Sequence, residues 1–295
     1  MTIERISGSV VRVSDVSFDP RLTLMDSAQA FHWLEADGSF TGVSGGHSAR
    51  LTPEAEGFRL EGCRPGEEAW WTRYFDLERD YEALKRRAAG CPVALEALKR
   101  LPGLRILRQP PWETLVAFII SANNNVGRIR RIVRGLIDAL GEGGAFPAPE
   151  TLAAAGEDRL RALGCGYRAP FLAAAARMVA AGFDLDALAP LPYEAAHAQL
   201  LRLPGVGDKV ADCVQLFGLG QAMAFPVDVW VERLMKARLA PQARSKAEIR
   251  QAAWALFGED AGLIQQSLFH CARLGLIELD PSEGKESENN RVKPG

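Results

Sequence analysis

The 295-residue chain has no apolar run long enough to cross a membrane, and its first ten residues, MTIERISGSV, lack the apolar core of a signal peptide. It has only five cysteines, and their spacing fits neither a metal cluster nor a disulfide framework. They are Cys63, Cys91, Cys165, Cys213 and Cys271. Charge of one sign is not in excess either, since the formal net charge is −2. These absences predict a cytoplasmic protein that does not coat nucleic acid by bulk charge.

The charges are nevertheless distributed unevenly along the chain. Residues 1–80 contain 14 acidic residues and 8 Lys or Arg, whereas residues 96–135 contain 2 acidic residues and 8 Lys or Arg. If the protein binds DNA, we expect the contact surface to lie on the second of these regions.

Hydrophobic periodicity divides the chain into a sheet region and a helical region. Short alternating runs between about residues 7 and 75 predict an antiparallel meander, and the runs are VVRV, FHWL, FTGV and FRLEG. From about residue 80 the apolar spacing is helical. The sequence therefore predicts an α+β fold, with an antiparallel sheet domain over residues 1–80, a two-part helical region over 81–280 and a disordered tail over 281–295.

The most informative segment is a predicted helix, tight turn and helix over residues 199–218. Its centre, LPGVG at residues 203–207, is typical of a short helix-to-helix corner. We expect the second helix to begin near Asp208, with Gly207 supplying left-handed or close-approach geometry. Lys209 then lies in the first turn, where the positive helix end disfavours its ammonium form and makes a neutral, nucleophilic amine accessible. Cys213, four residues on, shares its face.

Three further groups have both a structural and a functional interpretation. The asparagines at 123–125, beside Arg128, are typical of a turn and N-cap, but they also suit the reading of base edges and phosphates. Tyr167 is either packed at a helix end or a wedge that fills the hole left by an extruded base. Gln265 and Phe269 are either a surface and a core residue or a purine pocket.

The same duality applies to the hairpin and the segment after it. Taken singly, Lys209 is most often a solvated surface lysine, Cys213 a small core residue and Asp228 an N-cap. Their combination with a Gly-Val-Gly corner, whose backbone amides suit a phosphate oxygen, is more specific than any one of them.

The segment from Gln199 to Trp230 resembles the helix-hairpin-helix DNA glycosylases with a Gly/Pro-rich loop and Asp, and within them the 8-oxoguanine DNA glycosylase family. The resemblance extends over about Met25 to Gly275. It implies that Lys209 attacks the sugar C1′ with the assistance of Asp228, and that the base pocket is formed by Cys213, Gln265, Phe269 and Ala28. It also implies that the estranged cytosine is contacted by Asn123, Arg128 and Arg168, and that Tyr167 is the wedge. The residues implied to contact the DNA backbone are Gly205, Gly207 and Trp230.

Two positions depart from the family pattern. Ala28 stands where the family usually has a glycine whose carbonyl detects the N7 proton of 8-oxoguanine, and its Cβ restricts φ. Trp230 stands where relatives often have a histidine, and an indole cannot carry a proton or a charge there. We therefore expect altered DNA contacts and lesion discrimination.

The resemblance implies a bifunctional DNA glycosylase/AP lyase that excises 8-oxoguanine opposite cytosine through a lysine Schiff base. It implies a monomer that acts on double-stranded DNA and associates with the nucleoid, or with the nucleus in a eukaryote. No cofactor and no iron–sulfur cluster are expected, and a structural cation at the hairpin is a candidate because relatives carry one. Two alternatives stay open: a monofunctional glycosylase for alkylated purines on the same fold, and a non-catalytic DNA-binding hairpin protein.

Overall fold

The computed structural model describes residues 1–279, so the predicted tail over 281–295 lies outside the described residues. The chain divides into two compact units. The first comprises Met1–Arg79 and Gly103–Ala224, and the second comprises Asp80–Pro102 and the chain from Phe225 onward. The chain passes from the first unit to the second between Arg79 and Asp80, and the sheet shares its unit with Gly103–Ala224 of the helical region.

An antiparallel sheet forms the N-terminal part of the first unit, as predicted. Within the described residues it has six strands in the order β1-β2-β6-β5-β4-β3. The strands are β1 (Thr2–Ser7), β2 (Val10–Ser14), β3 (Leu34–Ala36), β4 (Ser39–Ser44), β5 (His47–Glu54) and β6 (Gly57–Glu61). Strands β3 to β6 form the meander, while β1 and β2 are a hairpin that pairs with β6 through β2.

Of the segment FHWL, which we predicted as a strand, the first three residues form a loop and only Leu34 belongs to a strand, as the first residue of β3. Phe31, His32 and Trp33 are all buried, so their side chains do not alternate between a core face and a solvent face. The Trp33 indole instead donates a hydrogen bond of 2.8 Å to the Tyr74 hydroxyl. An aromatic core that includes Phe58 and Phe75 surrounds this pair, and its burial explains why consecutive apolar residues occur here without a strand.

From residue 81 onward the helices of the described chain agree closely with the predicted periodicity, whereas the helix Glu68–Tyr74 lies within the stretch that we predicted as an antiparallel meander. The helices are α1 (Glu68–Tyr74), α2 (Tyr81–Arg87), α3 (Pro92–Arg100), α4 (Pro111–Ser121), α5 (Val126–Leu140), α6 (Pro149–Leu160), α7 (Ala169–Ala180), α8 (Tyr193–Leu200), α9 (Asp208–Phe217), α10 (Val229–Leu234), α11 (Lys246–Phe257) and α12 (Ala261–Leu274). None of those within residues 1–279 combines the length and apolar character that a membrane crossing requires.

Each unit is built around one nearly enclosed helix. In the first unit α4 has every residue from Glu113 to Ile120 buried and packs against α9. In the second unit α12 packs against α3 and α10, and its buried residues include Gln265 and Gln266. These two helices therefore fix the positions of the candidate site residues within their own units.

Candidate active site

The predicted hairpin is present in the first unit, with α8 ending at Leu200 and α9 beginning at Asp208. Gly205, not Gly207, supplies the left-handed conformation, with φ of 81°. A Cβ on Gly205 would lie 2.7 Å from the Phe171 Cβ, so both the backbone and the packing require glycine there. Gly207 is extended, with φ of −105° and ψ of −179°, and a Cβ there would meet no atom within 4 Å. The left-handed alternative at Gly207 was therefore wrong, while a close approach of DNA to this glycine stays a prediction.

Lys209 occupies the first turn of α9, as predicted, and its side chain is held within the first unit. The Nζ atom donates a hydrogen bond of 3.1 Å to the Ser121 Oγ at the end of α4. It also lies 4.9 Å from the centroid of the Phe118 ring. The side chain is only partly exposed, so this amine is not a solvated surface group.

The ring beneath the amine is itself fixed by aromatic packing. Phe118 stacks on Phe217 with 5.4 Å between centroids and 11° between planes, and it meets Phe31 edge-on at 5.8 Å. Cys213 lies one turn after Lys209 and is 2% exposed. A rigid, largely apolar wall therefore surrounds the base of the amine in this unit.

An adjoining face of α9 carries a buried polar seam that no sequence pattern predicted. Asp212 is fully buried and accepts a 2.5 Å hydrogen bond from the Tyr193 hydroxyl of α8. Gln215 donates to the Tyr193 carbonyl at 3.0 Å, and His197 approaches Asp212 at 3.8 Å. Buried charge-assisted hydrogen bonds are sensitive to geometry, so this seam fixes α8 against α9 and with it the corner. The sequence signal that could have revealed this seam is the presence of Asp212 and Gln215, an acidic and an amide residue, among the buried residues of α9.

The asparagine run forms the predicted turn and N-cap. Asn125 caps α5 by accepting a 2.9 Å hydrogen bond from the Arg128 amide, and Asn124 donates to the Ile120 carbonyl at 3.1 Å. Asn123 is exposed and left-handed, with φ of 49°. The side chain of Arg128 is also exposed. Two of the three residues assigned by resemblance to the opposite base are therefore exposed here, Asn123 in the turn and Arg128 in the first turn of α5.

The loop before α7 is joined to that turn. The Arg168 guanidinium is buried and donates to the Ala122 carbonyl and, at 2.9 Å, to the Asn123 carbonyl. The Tyr167 hydroxyl donates to the Ala122 carbonyl at 3.1 Å, yet the residue is 56% exposed. The structure thus brings Asn123, Tyr167 and Arg168 together around two carbonyls, with Tyr167 presenting its ring to solvent.

In the second unit, Asp228 is the N-cap of α10, as predicted. Its Oδ1 accepts hydrogen bonds from the amides of Trp230 at 3.0 Å and Val231 at 2.9 Å. The Trp230 ring lies 5.4 Å from the Arg233 guanidinium. A cation therefore accompanies the indole at this position.

Gln265 and Phe269 lie one turn apart on α12, as their spacing predicted. The Gln265 amide is 3% exposed and donates to the Pro226 carbonyl at 2.9 Å. Its Oε1 is buried and accepts no hydrogen bond from the described residues, although buried polar atoms are almost always paired. Phe269 is partly exposed, with the Arg273 guanidinium 5.5 Å from its ring. An unpaired buried acceptor one turn from a ring suits a polar, planar ligand.

Ala28 is strained in the first unit, with φ of 59°. Buried hydrogen bonds hold the residues on both sides: Ser27 Oγ donates to the Thr23 carbonyl at 2.8 Å, and Gln29 accepts from the Leu107 amide at 2.8 Å. The conformation is thus imposed on a residue type that disfavours it.

Comparison with known proteins extends over nearly the whole described chain. Residues 10–115 match the 8-oxoguanine DNA glycosylase N-terminal domain, and residues 116–259 match the HhH-GPD superfamily base excision DNA repair proteins. A probable N-glycosylase/DNA lyase of Methanothermobacter thermautotrophicus (strain Delta H) is 32% identical over 233 residues, which cover 69% of this chain and 73% of that protein.

Two solved structures are similar along their full length. The structure of MBOgg1 in complex with a low-affinity DNA ligand has a TM-score of 0.88 and 33% identity, covering 94% of this chain and 99% of that one. The Clostridium acetobutylicum 8-oxoguanine glycosylase/lyase, in complex with double-stranded DNA containing cytosine opposite 8-oxoguanine, has a TM-score of 0.86 and 30% identity, with the same coverage. The chain belongs to the 8-oxoguanine DNA glycosylase family.

Proposed function

We propose that this protein is a DNA glycosylase and AP lyase that removes 8-oxoguanine opposite cytosine from double-stranded DNA, with Lys209 as the nucleophile. The observation that carries this proposal is the placement of the Lys209 amine in the first turn of the hairpin helix, against Ser121 and Phe118 rather than in bulk solvent. We further propose that it acts as a monomer at the nucleoid, where its substrate lies.

The chemistry begins with Lys209 as a neutral amine. Its nitrogen forms a bond to C1′ while the bond from C1′ to the base nitrogen breaks, and the electron pair leaves with the base, which then takes a proton. Opening of the sugar ring at O4′ gives an iminium between Lys209 and C1′. Loss of a C2′ proton then expels the 3′ phosphate by β-elimination, and water releases the enzyme.

Asp228 is assigned to charge stabilisation. As the base departs the sugar becomes positively charged, and a fixed carboxylate lowers the energy of that state. Capping of α10 uses Oδ1 for both backbone amides, so the carboxylate is held in one orientation by the helix that it caps.

The remaining candidates are assigned to binding. Gln265, with its unpaired buried Oε1, and Phe269 recognise the edge and the face of the extruded purine, and Cys213 packs against it. Gly205, Gly207 and Trp230 contact the backbone. Binding in the pocket offsets the few kcal/mol that base flipping costs.

Recognition of the DNA strand opposite the lesion is assigned to residues in and beside the loops of the first unit. Asn123, Arg128 and Arg168 contact the estranged cytosine, whose edge offers both donors and acceptors. The exposed Tyr167 ring fills the gap in the stack.

The test is borohydride trapping with Lys209→Gln, across duplexes containing 8-oxoguanine, methylated purine or an abasic site opposite each base. We expect the wild type to be trapped covalently with 8-oxoguanine opposite cytosine. The variant should bind the same DNA with no trapped product, while the control Lys99→Gln, at an exposed lysine, traps as the wild type does.

Each rival function has its own signature in this panel. Release of methylated purines without any trapped species would favour the monofunctional alkylpurine glycosylase. Binding without base release or trapping would favour the non-catalytic hairpin protein. Trapping that persists in Lys209→Gln would overturn the lysine assignment.

A further inference from the structure

Ser121, the last residue of α4, is the hydrogen-bonding partner of the Lys209 amine, although 88 residues separate them in the chain. Ser121 ends α4 and Lys209 lies in α9, and these two helices pack against each other within the first unit. The contact is therefore part of the fold of that unit. Neither the family resemblance nor the sequence pattern gives Ser121 a role. Its hydroxyl nevertheless touches the proposed nucleophile.

The direction of the Ser121 hydroxyl is fixed by a second hydrogen bond. Its Oγ donates to the Phe118 carbonyl at 2.8 Å, which uses the only hydrogen that the hydroxyl has. The oxygen can therefore present only lone pairs to Nζ, 3.1 Å away. Ser121 accepts from the amine and does not donate to it, so it leaves the electron pair of the amine unoccupied.

The Phe118 ring supplies a second fixed direction. Nζ lies 4.9 Å from its centroid, where the negative face of the ring attracts an N–H group. Phe217 and Phe31 hold the ring from two sides. A hydroxyl oxygen and a ring face therefore define two of the four tetrahedral directions around the lysine nitrogen.

We propose that Ser121 and Phe118 form a cradle that orients the lone pair of the neutral Lys209 amine for attack, with Ser121 as a positioning residue. This inference rests on the proposed function. A neutral amine has two N–H groups and one lone pair; with one N–H on the Ser121 Oγ and the other on the Phe118 face, the lone pair points away from both. The cradle thus sets the direction of the attacking orbital in the neutral amine that carries out the reaction.

A purely structural role for Ser121 predicts different behaviour. Its bond to the Phe118 carbonyl resembles the one from Thr114 to the Pro110 carbonyl on the same helix, at 2.9 Å. If Ser121 served only the helix, loss of either hydroxyl would affect stability alone. If it orients the amine, only loss of the Ser121 hydroxyl slows chemistry.

The experiment is single-turnover trapping and base release with saturating enzyme, beside DNA affinity measured on an uncleavable duplex. We expect Ser121→Ala to slow trapping about tenfold, as loss of one oriented hydrogen bond should, with affinity unchanged. Ser121→Cys, which keeps the size but is a weak acceptor, should slow it similarly. Ser121→Thr should restore the rate, and Thr114→Val should leave it unchanged, with folding of each variant checked by circular dichroism.

The outcomes separate the two proposals. Normal trapping by Ser121→Ala and Ser121→Cys, or an equal loss in Thr114→Val, would overturn the cradle and leave the proposed function intact. Failure of Ser121→Thr to recover the rate would also overturn it. No trapping by the wild type would overturn the proposed function, and the cradle with it.

Discussion

At the scale of single residues, Ala28 is a strained alanine where a glycine would be relaxed. Its φ of 59° costs an L-residue about 1 kcal/mol. Relief of this strain in Ala28→Gly should raise the free energy of unfolding by about 1 kcal/mol. The greater conformational entropy that glycine gives the unfolded chain offsets part of this gain. Denaturant unfolding measures this. Ala30→Gly, at a buried alanine without positive φ, should instead destabilise the protein; a loss of stability in Ala28→Gly would contradict the strain argument.

Glu113 makes stability depend on pH. Burial raises the pKa of this carboxyl to about 7, despite hydrogen bonds from the Ser44 hydroxyl and the Gly45 amide. Between its ordinary pKa near 4.5 and about 7 the folded state holds a proton that the unfolded state has released. Stability from this group is thus fully present at lower pH and is lost as pH rises through about 7.

The matching variant is Glu113→Gln, which keeps a hydrogen-bond acceptor without a titratable group. We expect the stability of the wild type relative to this variant to fall by up to about 3 kcal/mol between pH 5 and pH 8. Urea unfolding of both proteins across that range measures the difference. A constant difference would show that Glu113 has the same protonation in both states.

At the scale of elements, the two hairpin glycines have different reasons to be glycine. Gly205→Ala combines a left-handed backbone with a 2.7 Å contact to Phe171, so we expect a loss of about 2–4 kcal/mol in stability. Gly207→Ala is extended and meets no neighbour, so stability should hold. If a DNA phosphate approaches Gly207, the added Cβ of Gly207→Ala should lower the affinity of the protein for DNA. Thermal unfolding and fluorescence anisotropy test the pair; equal stability losses would contradict this division.

Helical periodicity predicted the elements well because a helix is a local structure. The patterns now seen as α3, α4, α5 and α12 had bounds correct to within a few residues. The exceptions depend on distant or backbone effects. The predicted helix from Pro149 to Gly164 breaks at Gly156, whose φ is 70° and ψ is 175°. Strands β1 and β5 were not singled out from the sequence, although burial alternates along much of both.

The candidate site was predictable where a residue's role follows from its own element. The N-cap at Asp228 and the position of Lys209 in the first turn of α9 were both confirmed. Contacts that depend on tertiary packing were not predictable from the sequence. The partnership of Ser121 with Lys209 joins residues 88 positions apart, and the Arg168 guanidinium turned out to hold backbone carbonyls. Neither contact has a signal in local spacing.

At the scale of the whole molecule, three of the eight Lys and Arg residues in the basic stretch predicted as a DNA footprint are engaged in the fold. Arg105 is buried and donates to the Asp76 carbonyl, while Arg108 forms an ion pair with the Asp76 carboxylate. Arg130 donates to the Met25 carbonyl. A count of charges therefore overstates the charge available to DNA, and a protein with net charge −2 must bind through a few well-placed cations.

Arg128 and Arg134 on α5 test this conclusion because substitution of either by glutamine changes the net charge equally. Arg128 is exposed and has no ion pair among the described residues, whereas Arg134 forms one with Asp138 at 2.6 Å. If the total charge governed binding, both variants would weaken it alike. If local contacts govern it, Arg128→Gln should lose about tenfold in affinity for 8-oxoguanine opposite cytosine and relax the preference for cytosine, as loss of a base contact does. Arg134→Gln should stay within about twofold. Anisotropy titrations against all four opposite bases, repeated at two salt concentrations, distinguish these cases, since a uniform loss with a shallower salt slope would instead make Arg128 a phosphate contact.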